Sequence, residues 1–108
     1  TVLARVEFTG KEYIFTRRHV LWSIMEHLKD LAHMNLAVVV TNRIIEVPTD
    51  EQSQHKPASN LVMGLSSTHR IWLSKLSKNK RRAVIYSSPF LPFREAFFQI
   101  VESGVVDV

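Results

Sequence analysis

The sequence predicts an α/β domain organised around a strand covered on both faces, and three observations predict it. Residues 37–44 read AVVVTNRI, an apolar run without polar alternation that ends in Thr41, Asn42 and Arg43. Such a run marks a strand buried on both sides, as in parallel sheets. Ahead of it, apolar residues recur at helical spacing. Behind it, two alternating segments flank a polar turn. In open α/β sheets ligands bind beyond the carboxyl ends of the strands, so Thr41, Asn42 and Arg43 stand where a functional contact is expected.

Taken in order, residues 1–6 (TVLARV) form a short extended segment. Residues 7–15 read as a surface loop with Gly10 as its turn signal. Thr16 can cap the next helix through its hydroxyl. That helix is predicted from Arg17 to about Met34, with Val20, Leu21, Ile24, Leu28, Leu31 and Ala32 as one apolar stripe. Trp22 and Met25 broaden the stripe as packing residues, and Asn35 stops the helix in the left-handed conformation it tolerates.

After the strand, residues 46–60 (EVPTDEQSQHKPASN) hold two prolines and little to bury, which predicts a long loop. Residues 61–65 return to apolar character as a short helical turn. HRIWL and RAVIY alternate around SKLSKNKR and predict an antiparallel hairpin. SPFLP at 88–92 is rigid and non-helical, since proline fixes its own φ and restrains its predecessor. AFFQIV at 96–101 is a last strand, followed by a turn at Ser103 and Gly104. The organisation is therefore 1–44 as strand, loop, helix and strand, 45–60 as a polar loop, and 61–108 as a β-rich tail.

Composition narrows the function classes. At 108 residues the chain is one domain or part of one. It holds no apolar run of roughly 18 residues, so no membrane helix is expected, and the start lacks a signal-peptide pattern. No cysteine is present, which excludes disulfide scaffolds and thiol chemistry and fits a reducing compartment. Five histidines show no metal-ligand spacing, and no serine sits in a glycine-flanked nucleophile elbow. With three glycines in all, a phosphate-binding loop cannot be built here. No catalytic residue or metal ligand is assigned.

The net charge of +4 favours polyanionic partners only mildly. Position says more. Arg5, Lys11, Arg17 and Arg18 surround the first loop, and Arg43, His55 and Lys56 bracket the second. Cations on two loops can hold a phosphate backbone with salt-dependent affinity; charge alone fits a solvated face equally well. Lys75, Lys78, Lys80, Arg81 and Arg82 cluster at the hairpin tip, where lysines commonly protect a sheet edge.

Three stretches then resemble the RecA/RadA recombinases, nearer the archaeal and eukaryotic branch and its paralogues. RVEFTGK at 5–11 is similar to the approach to that family's first DNA-binding loop. NLAVVVTNRI at 35–44 is similar to the strand whose end senses nucleotide and opens the second DNA-binding loop. IYSSPFLPFREAFFQIVESGVVD at 85–107 resembles the C-terminal segment with its serine–proline cap. HKPASN and STHRIWLSK fit the loop exit and the strand after it.

The resemblance implies the C-terminal half of a RecA-like P-loop ATPase core, with parallel strands and a helix followed by an antiparallel hairpin. It implies homologous recombination and DNA repair, with single-stranded DNA and a recombinase filament or another paralogue subunit as partners, and no membrane. It implies ATP and Mg2+, held mostly by residues ahead of Thr1. It places the chain in the nucleus if eukaryotic and otherwise in the cytoplasm. DNA contacts then fall on Arg5, Lys11, Arg17, Arg43, His55 and Lys56. Nucleotide sensing or the cap falls on Thr41, Asn42, Ser87, Ser88, Pro89 and Pro92. The sequence departs from the family pattern where Arg43 replaces glutamine, Ser87 replaces aspartate and Leu65 stands for histidine. Those departures suit a paralogue that remodels filaments, or alternatively an interaction subunit binding neither DNA nor ATP.

Overall fold

A computed structural model describes residues 13–48, 53–57 and 60–108. In chain order they form α1 (Ile14–His33), β1 (Ile44–Pro48), β2 (Ser53–Pro57), α2 (Asn60–Ser66), β3 (Arg70–Lys75), β4 (Lys80–Ser87), β5 (Glu95–Val101) and β6 (Gly104–Asp107). The chain divides into two compact units, Thr1–Ser66 and Ser67–Val108.

In the first unit the helical repeat of α1 sets Leu21 and Met25 one turn apart on one side. Both are buried against Val62 and Met63 of α2, with Leu28 packed alongside. The sequence stripe is thus rotated: Met25, expected at its margin, lies at its centre, while Ile24 and Leu31 are 47% and 42% exposed. Trp22, expected to pack, lies on the outer side, where its indole N–H donates to Glu26 Oε1 at 3.0 Å. The helix starts at Ile14, so Thr16 falls inside it, and the N-cap position belongs to Tyr13, which makes no side-chain cap. Its end is as expected. Met34 N–H donates to Leu31 O at 3.0 Å and Asn35 takes φ 64°, the left-handed cap geometry.

The expected strand at 37–41 is corrected. Residues 36–43 belong to neither helix nor sheet, and Val39 is 88% exposed. A strand covered on both faces requires neighbours on both sides, and no described segment pairs with this one. The next residues do find a partner: β1 pairs antiparallel with β2, Ile44 opposite Pro57 and Pro48 opposite Ser53. The expected fifteen-residue loop is therefore largely a hairpin, and Thr41, Asn42 and Arg43 precede a strand rather than follow one. Every strand pair among the described residues is antiparallel; the expected parallel pairing is not among them. The extended segment and most of the loop expected over residues 1–12 lie outside the described residues.

The second unit is a four-stranded antiparallel meander in the order β3-β4-β5-β6. HRIWL and RAVIY form the expected hairpin, with Trp72 opposite Val84 and Leu73 opposite Ala83. The register places Trp72, Arg82, Val84 and Phe97 on one face, and Ile71, Leu73, Ala83, Ile85, Phe98 and Ile100 on the other. The first face is laced together. The Arg70 guanidinium lies 4.9 Å from the Tyr86 ring centroid and Lys80 Nζ 5.3 Å from that of Phe97. Trp72 and Tyr86 rings are 5.4 Å apart, and Arg82 Nη2 pairs with Glu95 Oε2 at 2.6 Å. A shift of register between Arg70 and Ile71 leaves Tyr86 as the extra residue of a bulge. β6 was absent from the sequence reading; Val101 pairs with Gly104 across Glu102 and Ser103, extending the sheet.

Two outcomes follow for the whole protein under chemical denaturation. Leu21→Ala and Met25→Ala each cost about 2–4 kcal/mol, because α2 cannot close the void left in so small a core, whereas Lys29→Ala stays within about 0.5 kcal/mol. Gly104 holds φ +126° with open space around it, so Gly104→Ala destabilises through backbone conformation, not collision, by about 1–3 kcal/mol. Ser103→Ala is the neutral comparison.

Candidate nucleic-acid interface and proline loop

The ladder of β1 and β2 brings two of the expected cations to one end. Arg43 directly precedes Ile44, which pairs with Pro57, and Lys56 pairs with Ile45. Paired strands run about 5 Å apart, so Arg43, just before β1, and Lys56, in β2, lie close together at the open end of the hairpin, and both side chains are exposed. His55 sits in the same strand, opposite Glu46 in register. Thr41 and Asn42, also exposed, lead into this end. Arg17 is half-buried near the start of α1; Arg5 and Lys11 lie outside the described residues. A pair of neighbouring exposed cations can hold successive phosphates, each contact releasing condensed counterions.

The remaining expected residues gather in the second unit, in the loop joining β4 to β5. Ser88 Oγ is its hub. It accepts the N–H groups of Leu91 at 3.0 Å and Phe90 at 3.4 Å, the turn a serine favours when its side chain can satisfy amides two and three residues on. His69 Nδ1 also lies within hydrogen-bond distance, 3.0 Å from Ser88 Oγ, with donor and acceptor set by the imidazole tautomer. The His69 ring meets Phe90 edge-on, centroids 5.0 Å apart at 88°. Ile85 N–H donating to Arg94 O at 3.0 Å closes the base of the loop. Pro89 and Pro92 fix φ at two points within it. The result is a turn held in one shape that presents Phe90 and Phe93, 74% and 69% exposed.

His69 was missed as a site residue. It is the last residue before β3 and lies nineteen positions from Ser88, so no local spacing joins them; the hairpin register does. Ser87, expected beside Ser88 in the cap, is exposed at the end of β4.

The implied ATP and Mg2+ find no holder here. Among the described residues no three His, Asp or Glu side chains converge on a metal position. In the proline loop, the Phe90 and Leu91 amides are already engaged with Ser88 Oγ. No nucleotide chemistry is therefore derived from these residues.

One unit with two packed helices and a cation-bearing hairpin, and a second unit with an antiparallel sheet and a pinned proline loop, make up a protein of mixed α and β structure. Comparison with known proteins narrows this. The Rad51 family model matches residues 1–108. The DNA repair and recombination protein RadA of Methanococcus maripaludis is 37% identical over 105 residues, 95% of this chain and 33% of that protein. The meiotic recombination protein DMC1 homolog B of Oryza sativa subsp. japonica is 33% identical over 112 residues, 97% of this chain and 32% of that protein. The chain belongs to the Rad51 family, and its fold class is the RecA-like α/β class. It spans about a third of the length of these curated relatives.

The hub makes a testable demand. Ser88→Ala strands two amides, so hydrogen exchange at Phe90 and Leu91 accelerates and stability falls by about 1 kcal/mol. Ser88→Thr keeps the oxygen and restores protection, as amide exchange by NMR would read.

Proposed function

We propose that this chain is the C-terminal part of the ATPase core of a recombinase-family protein serving DNA repair by homologous recombination. It contacts single-stranded DNA through the hairpin of β1 and β2, and a recombinase filament or paralogue subunit through the proline loop. The observation that carries this reading is the match of the Rad51 family model along residues 1–108, together with a relative named for DNA repair and recombination that is 37% identical over 105 residues. The neighbouring positions of Arg43 and Lys56 support the DNA contact. On this reading ATP and Mg2+ are held mainly by parts of the protein other than the described residues, and the protein works in the nucleus if eukaryotic and otherwise in the cytoplasm. Arg5, Lys11, Arg17 and His55 complete the phosphate contacts, and Thr41 and Asn42 sense nucleotide.

A second reading is an interaction subunit that binds neither DNA nor ATP. It is favoured by Ser87 and Leu65 standing where the family resemblance expects aspartate and histidine. One measurement separates the two. If Arg43 and Lys56 each neutralise a phosphate, replacing either by alanine in the whole protein weakens single-stranded DNA binding at low salt. It also lowers the slope of log K against log salt by about 0.7. Unchanged affinity and slope remove the DNA role from this hairpin; absent DNA binding by the unaltered protein at low salt, with a partner still copurifying, establishes the second reading.

A further inference from the structure

Ser88 and Pro89 form the only serine–proline or threonine–proline step in the chain. It opens a loop whose residues 89–94 are all exposed. Proline carries no N–H and a fixed φ. An enzyme cleft that offers no acceptor after the target hydroxyl therefore admits proline and disfavours any residue whose N–H would be stranded there.

We propose that Ser88 is a phosphorylation site for a proline-directed serine/threonine kinase, and that the groups now bonded to its hydroxyl hold the phosphate. In the reaction Ser88 Oγ attacks the γ-phosphorus of ATP, the bond from that phosphorus to the β–γ bridging oxygen breaks, and ADP leaves. The hydroxyl proton passes to the kinase base. The product carries a charge of about −1.5 to −2 and three acceptor oxygens.

The surroundings suit that product. The amides of Phe90 and Leu91 already point at Ser88 Oγ, and His69 Nδ1 lies 3.0 Å from it. Arg70 follows His69, with its guanidinium over the Tyr86 ring at 4.9 Å. Within the second unit, residues 67–94 hold seven lysines and arginines and no aspartate or glutamate, so no acid of that segment opposes the added charge. The nearest following acid, Glu95, is paired with Arg82. Phosphorylation thus exchanges one acceptor oxygen for three in a turn of amides, tightening the loop instead of opening it. The proposal does not depend on the loop serving as a filament contact.

The test uses the whole protein with a proline-directed kinase and MgATP, followed by mass spectrometry of its peptides. The expected result is a phosphate on Ser88, lost in both Ser88→Ala and Pro89→Ala. The second variant keeps the Ser88 hydroxyl, so it reads recognition even if Ser88→Ala disturbs the fold, and unchanged Phe90 and Leu91 amide protection in unphosphorylated Pro89→Ala checks that the turn is kept. On phosphorylation the Phe90 and Leu91 amide protons move downfield in NMR spectra and exchange more slowly, and phosphatase reverses both. No incorporation, incorporation at Ser87 instead, or incorporation that survives Pro89→Ala overturns the site. Faster exchange at the two amides after phosphorylation overturns the cradle.

Discussion

A strand persists only where its N–H and C=O groups find a second strand, because unpaired backbone polar groups are costly to remove from water. In this chain every described strand finds its partner in the adjacent segment. β1 folds back on β2, and β3 to β6 each pair with the next in line. That locality explains the placement of the other features. The hairpin of β1 and β2 exists because the two segments are separated by only four residues, and its closure brings Arg43 and Lys56 together. The meander exists for the same reason, and its β3–β4 register carries His69 to Ser88 across nineteen positions. Residues 37–41 are the most apolar stretch of the first unit's connecting chain, yet they lie outside both sheets. Apolar character alone does not make a strand; two neighbours do.

The C-terminal sheet shows the complementary constraint, that of its faces. Its two faces differ in kind. One is tied by cation–aromatic contacts and by the Arg82–Glu95 pair, each worth only about 1 kcal/mol at such exposed positions, but distributed over three strands. The other carries Ile71, Leu73, Ala83, Ile85, Phe98 and Ile100, of which Ile71 and Leu73 are 61% and 66% exposed. No residue of this unit is buried. Ladder hydrogen bonds and cross-strand contacts therefore define the sheet locally, in the manner expected of a meander with short connections.

Legibility in the sequence followed the same divide. HRIWL and RAVIY alternate strongly and are joined by a polar turn, so pattern and pairing agree. Asn35 and the prolines at 89 and 92 were legible because each imposes a backbone restriction by itself. β2 was not: Ser53, Gln54, His55, Lys56 and Pro57 have little strand propensity, and only the partner across the turn makes them one. β6 was hidden for a related reason, since Gly104 reads as a turn residue and also begins the strand. The α1 stripe was recognised but rotated, because Met25 and Leu28 face α2, and the helical period alone does not say where α2 will pack. At the candidate site, Arg43 and Lys56 were identified one by one, but their adjacency depends on the unforeseen hairpin. Ser88 was singled out by resemblance alone; the turn it makes was available from chemistry, since a serine can satisfy the amides two and three residues on, here Phe90 and Leu91.

The distribution of charge now separates two kinds of basic cluster that composition treats alike. At the β3–β4 tip, Arg81 Nη1 donates to the carbonyls of Ser77, Lys78 and Lys80 at 3.0, 3.2 and 3.1 Å. Lys80 lies over Phe97 and Arg82 pairs with Glu95. Three of the five cations there are thus directed inward at the turn and the neighbouring strands, where a ligand would have to displace contacts already made. Arg43 and Lys56 sit instead at the open end of a ladder described by its backbone pairing. Both side chains are exposed, in contrast to the inward-directed cations of the β3–β4 tip. This asymmetry, and not the net charge of +4, is the physical ground for seeking the polyanion contact at the open end of β1 and β2.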